Sequence, residues 1–260
     1  MVQRVLNEEV NAQAVRLELL IDLLDRMVRE AMDQQDGSVR LTLLFASTLK
    51  ARQAGMAVLL LSKEGFVEEI LSISRTLVEA IVNAAYLQYA GDRELERYLN
   101  FHPESRLRQT GMVRQSKSLG IASGLVQRLS ELVLRTPPVP KDAAGSGWTA
   151  KSLMDRARIA DAGSRLPIMA ALVARCYSRG HAAMHGTVGS LSSFISALSN
   201  MKLPSRDERL SPLSQAFFGV NLGIVTLCLY LNSYFHLGME EAIEEATSAD
   251  SQTRPSLRGE

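Results

Sequence analysis

The stretch VLNEEVNAQAVRLELLIDLLDRMV, residues 5–28, decides the fold class. Its apolar positions Val5, Leu6, Val10, Ala14, Leu17, Ile21, Leu24 and Val28 recur at spacings of one, three and four. On a helix of 3.6 residues per turn they line one face. The spacing predicts an amphipathic helix to about Met32, stopped before Asp36-Gly37-Ser38.

The same pattern repeats along the chain. A second helix is expected from about Val39 to Ser62 and a third from Phe66 to about Tyr89, parted by Gly65, with Gly91 as a C-cap. Three long helices joined by short turns make antiparallel neighbours, the start of an up-and-down bundle. Asp92 to Phe101 reads as a charged helix ended by His102-Pro103, and two shorter helical stretches follow to Leu134. A Pro/Gly-rich loop occupies residues 136–147. Thr149 is the expected N-cap of a helix to about Ala160, and Arg165 or Leu166 opens another.

Ala216 to Leu231, AFFGVNLGIVTLCLYL, is sixteen residues without a charge. That is short of the roughly 20 a membrane span needs, and Asn221 and Thr226 interrupt it. It reads as a buried apolar C-terminal helix opened by Pro212, with Gly219 and Gly223 letting a neighbour approach closely. No stretch alternates with period two. The fold class is therefore all-α, an up-and-down helical bundle with long N-terminal helices. One domain is expected over 1–247, followed by a disordered polar tail over 248–260.

Composition narrows function by exclusion. The 260 residues are 46% hydrophobic and 22% charged, with a net charge of +1. No global field draws in nucleic acid or acidic lipid, so net charge lends an RNA partner no support. Carboxylates at Glu8 and Glu9 stand where a signal peptide would be apolar, and the expected location is cytoplasmic, with no membrane. Cys176 and Cys228 are read as free buried thiols.

Potential chemistry gathers in Arg175-Cys-Tyr-Ser-Arg-Gly-His-Ala-Ala-Met-His-Gly186. His181 and His185, four apart, share a helix face beside Tyr177 and Ser178. Paired imidazoles suit a metal, but neither the Glu beside the first histidine nor a Glu three residues before either one is present, so no metal and no cofactor is expected. Arg-x5-His spacing occurs twice, from Arg175 to His181 and from Arg179 to His185, as in the HEPN group of helical ribonucleases. A histidine would serve as general acid–base and a guanidinium would steady the phosphate. In a chain so rich in arginine this spacing also arises by chance, and Arg97 to His102 meets a similar one.

Arg75-Thr-Leu-Val-Glu79 places two charges in an otherwise apolar helix, where each must find a partner. The bland reading is a polar network inside the bundle, with His185 or Tyr177 as the other party. The functional reading is that Arg75 or Glu79 lines a pocket. His185, Arg179, His181, Arg75, Glu79 and Tyr177 are the site candidates. They form a catalytic cleft, shared across a homodimer, or a buried cluster that fixes helix register.

These same residues carry a resemblance. Gly65 leading into Ser74-Arg75 and Glu79, then Ala85-Tyr86-Leu87, Trp148-Thr-Ala-Lys-Ser152, Tyr177, His181 and His185-Gly186, resemble the bacterial helical family catalogued as domain of unknown function 5677. His181 stands where that family usually has a serine. The resemblance spans roughly residues 39–200. It implies an all-helical bacterial protein without an assigned activity, remotely similar to HEPN-type domains.

Overall fold

The computed structural model describes residues 2–34, 37–100, 148–177 and 206–249. All regular structure within them is helical. The elements are α1 (Val2–Met32), α2 (Val39–Glu64), α3 (Val67–Tyr89), α4 (Asp92–Asn100), α5 (Leu153–Ser164), α6 (Met169–Leu172), α7 (Arg206–Phe235) and α8 (Glu240–Ser248). A π-helical turn, Val173–Tyr177, continues α6.

Four long helices close a ring. α1 packs on α2, α2 on α3, α3 on α7, and α7 back on α1. The first three run up, down and up because their joints are short. Ser38 caps α2 by accepting from Leu41 N, and Gly65 ends it at φ 72, a left-handed conformation that glycine adopts without strain. α7 then runs parallel to both its neighbours. Ser214 and Asn221 meet Glu9 and Gln13 near the start of α1, while the Phe235 carbonyl meets Gln34 at its end. Against α3, Gly219 meets Ser74, Gly223 meets Leu77, and Tyr234 meets Gln88.

Gly219 and Gly223 thus do what their spacing suggests. A Cβ on Gly219 would lie 2.7 Å from Ser74 Oγ, and one on Gly223 would lie 3.1 Å from Leu77 Cδ2. Gly55 performs the same service where α1, α2 and α7 meet, with Ile21 and Ile224 around it. The core holds Leu17, Leu20, Leu24, Leu44, Val58, Ile81, Phe217 and Ile224, all buried. α3 and α7 are long and apolar enough to cross a bilayer by length and composition, yet 67% of α7's most apolar window lies inside the protein. α5 lies against α3 outside the ring, and α8 packs on α1 and α7.

Some boundaries differ from expectation. α3 ends at Ala90, in extended conformation, and Gly91 has no left-handed φ. Ser152, not Thr149, caps α5, because Ser152 and Asp155 satisfy each other's backbone N–H in a capping box. α7 begins at Arg206, so Pro212 lies inside it. One lost backbone hydrogen bond is offset there by burial of Leu210, Leu213 and Phe217. The loop 136–147 and residues 250–260 lie outside the described residues.

Candidate functional site

α3 presents Arg75, Glu79, Asn83 and Tyr86 at spacings of four, four and three, which is one stripe along the helix. This stripe faces α4, α5 and the π turn rather than the core of the four-helix ring. Two polar clusters and one aromatic box assemble on it.

The first cluster joins α3 to the π turn. Arg75 Nη2 donates to the Tyr177 hydroxyl at 3.0 Å, and Arg75 Cζ sits 5.0 Å from the centre of the Tyr177 ring. The turn is aimed from α5: Asp161 accepts from Met169 N at 2.7 Å and from Ala170 N at 3.0 Å, capping α6 at its start. From there the wider winding of the π turn carries Cys176 into the core and Tyr177 onto Arg75.

The second cluster centres on Arg156, only 8% exposed. Its Nη1 donates to Asn83 Oδ1 and its Nε to the Ser152 carbonyl at 3.4 Å, while Cζ lies 5.3 Å from the Trp148 ring centre. Desolvation lowers the Arg156 pKa, and the negative charge of Glu79 works against that fall. Glu79, on α3, is thus within electrostatic reach of Arg156 on α5.

Trp148 completes an aromatic box with Tyr98, edge-on at 4.9 Å, and Tyr86 at 5.9 Å. Glu94 of α4 closes one end, accepting from Arg97 at 3.0 Å and Lys151 at 3.3 Å. Desolvation opposes its charge, but hydrogen bonds from Thr149 and Lys151 hold its carboxyl below the usual carboxylate range. Burial pushes the Tyr86 phenol up, and Glu94 adds to the rise.

Of the six site residues expected from sequence, Arg75, Glu79 and Tyr177 come together on this seam. His181, His185 and Arg179 lie outside the described residues. Sequence reading missed Asn83, Arg156, Tyr98, Glu94 and Lys151. Asn83 carried a signal, since an amide four residues beyond Glu79 in the run Ile81-Val-Asn-Ala-Ala continues the polar stripe. Burial pushes the Cys228 thiol up to about 12, which removes it as a nucleophile. Among the described residues, no three of His, Cys, Asp or Glu gather where a metal would be held.

Chemically, the seam has a buried guanidinium already partnered, a half-buried guanidinium on a phenol, and a carboxylate tied by two cations. Such an arrangement binds helices to one another, and only the Arg75–Tyr177 end has groups suited to an incoming anion. The sequence matches the model described as "Family of unknown function (DUF5677)" over residues 41–202. No curated protein and no solved structure matches the chain.

Proposed function

The chain belongs to that family of unknown function, and we propose that it is a non-catalytic, cytoplasmic interaction module whose polar seam fixes how α5 and the π turn sit on the bundle. The observation that carries this reading is Arg156. Its guanidinium is enclosed by Asn83, the Ser152 carbonyl and the Trp148 face, with Glu79 supplying the opposing charge. A guanidinium so enclosed, with Nη1 and Nε donating within the protein, is placed to position helices.

A second reading rests on a different observation. π-helical turns recur at functional sites, and this one delivers Tyr177 to a half-buried Arg75. That end of the seam supports a HEPN-like, metal-independent endoribonuclease in which Arg179 and His185 carry the chemistry and Arg75 steadies a phosphate. Incubating the full chain with single-stranded RNA in chelator separates the readings. The interaction module gives no cleavage, and wild type and His185→Ala behave alike. Cleavage by wild type that His185→Ala abolishes, with its thermal stability unchanged, would sink the proposal and establish the second reading.

A further inference from the structure

The turn Val173–Tyr177 is wound as a π-helix, although its sequence has the rhythm of an α-helix. Met169, Leu172, Val173 and Cys176 are buried at spacings of three, one and three, while Ala174 and Arg175 between them are exposed. On an α-helical wheel of about 100° per residue, Leu172, Val173 and Cys176 all fall within about 60° of Met169. Tyr177 falls about 80° away, at the edge of that face. The wider π winding turns Tyr177 back under the face and leaves Cys176 at its opposite edge.

Apolar burial therefore chooses neither winding. Cys176 is small, and Gly219 of α7 stands beside it without a side chain, where even a Cβ would lie 4.0 Å from Cys176 Sγ. The thiol has room at either angle. The start of the segment is fixed in both cases, since Asp161 holds the Met169 and Ala170 amides at 2.7 and 3.0 Å. What differs is Tyr177. The π winding brings its hydroxyl to 3.0 Å from Arg75 Nη2 and its ring centre to 5.0 Å from Arg75 Cζ. A π turn is the rarer winding and persists where the surroundings hold it.

We infer that Val173–Tyr177 is a two-register device, in which the Arg75–Tyr177 contact selects the π winding over an α winding of the same residues. In the α register the Tyr177 amide moves from the Leu172 carbonyl to the Val173 carbonyl, and the phenol swings off Arg75. The change is worth one residue of helical phase, about 100° for the chain that follows. Arg75 on α3 is thereby the control point for a turn 102 residues further along the chain. The inference goes beyond the proposed function, since it concerns winding and holds whether or not the polar seam has chemistry.

Crystal structures of two full-length variants test it. Arg75→Met and Tyr177→Leu each remove the contact and leave the apolar face intact. In each, residues 173–177 are wound as an α-helix, with the amide of residue 177 on the Val173 carbonyl. A third variant reads stability instead. Deleting Ala174 removes the one residue that the π winding carries in excess, and an α-helix then places Cys176 and Tyr177 on nearly the faces they hold in wild type. The deletion keeps the Arg75 contact and raises Tm by about 2–4 °C. A π turn kept in either substituted chain would show that packing selects the winding, which overturns the device. A Tm that falls on deletion overturns it too, because the extra residue would then be needed for the fold.

Discussion

Arg156 sits in the sequence Leu153-Met-Asp-Arg-Ala-Arg158, between an exposed Asp155 and an exposed Arg158. Nothing local distinguishes it from a solvated charge; only the fold turns it inward onto Asn83 and Trp148. Arg75 and Glu79 were legible because they interrupt an apolar helix, and Tyr177 because it shares a face with the histidine motif. Arg156 was illegible because its inward turn depends on how α5 rolls against α3. Arg156→Met keeps the length and removes the donors, leaving the Asn83 carbonyl unbonded and Glu79 without its counter-charge. The expected loss is about 2–4 kcal/mol in urea unfolding. Arg156→Lys recovers only part, since an ammonium cannot stack on Trp148 while reaching both Asn83 and Ser152. Trp148 is the one tryptophan of the chain, so its emission shifts to the red with the loosened box. A methionine variant as stable as wild type would mean that the seam does not hold α5.

α4 shows how much an element depends on a few ties. Its nine residues include four acids and bases in the first half, Asp92, Arg93, Glu94 and Glu96. Sequence reading found a charged helix but no partners for its charges. Glu94 departs from that, because Lys151 and Thr149 arrive from the other side of residues 101–147 and no local pattern announces them. The consequence is a pH dependence with a fixed sign. A carboxyl held below its ordinary value of 4.5 contributes stability that is present above that value and lost as pH falls through the lowered one. Burial opposes the charge of Lys151, but Tyr86 and Glu94 raise its pKa, and burial followed by Glu94 raises that of Tyr86. Their contributions are present below the ordinary values and fade as pH rises through the raised ones. Glu94→Gln therefore costs roughly 1–2 kcal/mol at neutral pH. It also flattens the acid limb of a urea-unfolding series taken from about pH 6 to about pH 3. An acid limb as steep as that of wild type would assign the dependence to other carboxylates.

The direction of α7 is the least legible property of the whole molecule. Hydrophobic rhythm, loop composition and the Gly219/Gly223 pair foretold an all-helical bundle with this helix inside it. None of them says whether the helix enters up or down, since that is set by the long connection through residues 101–205. A parallel helix has no short hairpin to fix its register, and side chains must do so. Asn221 Nδ2 donates to Gln13 Oε1 at 2.6 Å and to the Gln13 carbonyl at 3.0 Å, and Ser214 Oγ donates to Glu9 Oε1 at 2.5 Å nearer the start of both helices. Asn221→Leu alone strands the Gln13 amide oxygen in the core and costs about 1–3 kcal/mol. Asn221→Leu with Gln13→Leu removes both partners, and unfolding free energy returns to within about 1 kcal/mol of wild type or exceeds it. The double variant nevertheless loses the more buried of the two polar pairs, Asn221–Gln13 and Ser214–Glu9, that reject a slipped register. Amide exchange along α1 and α7 then speeds up by a larger factor than global stability explains. A double variant whose exchange follows its stability would show that packing of Leu17, Ile21, Val220 and Ile224 holds the register without that pair.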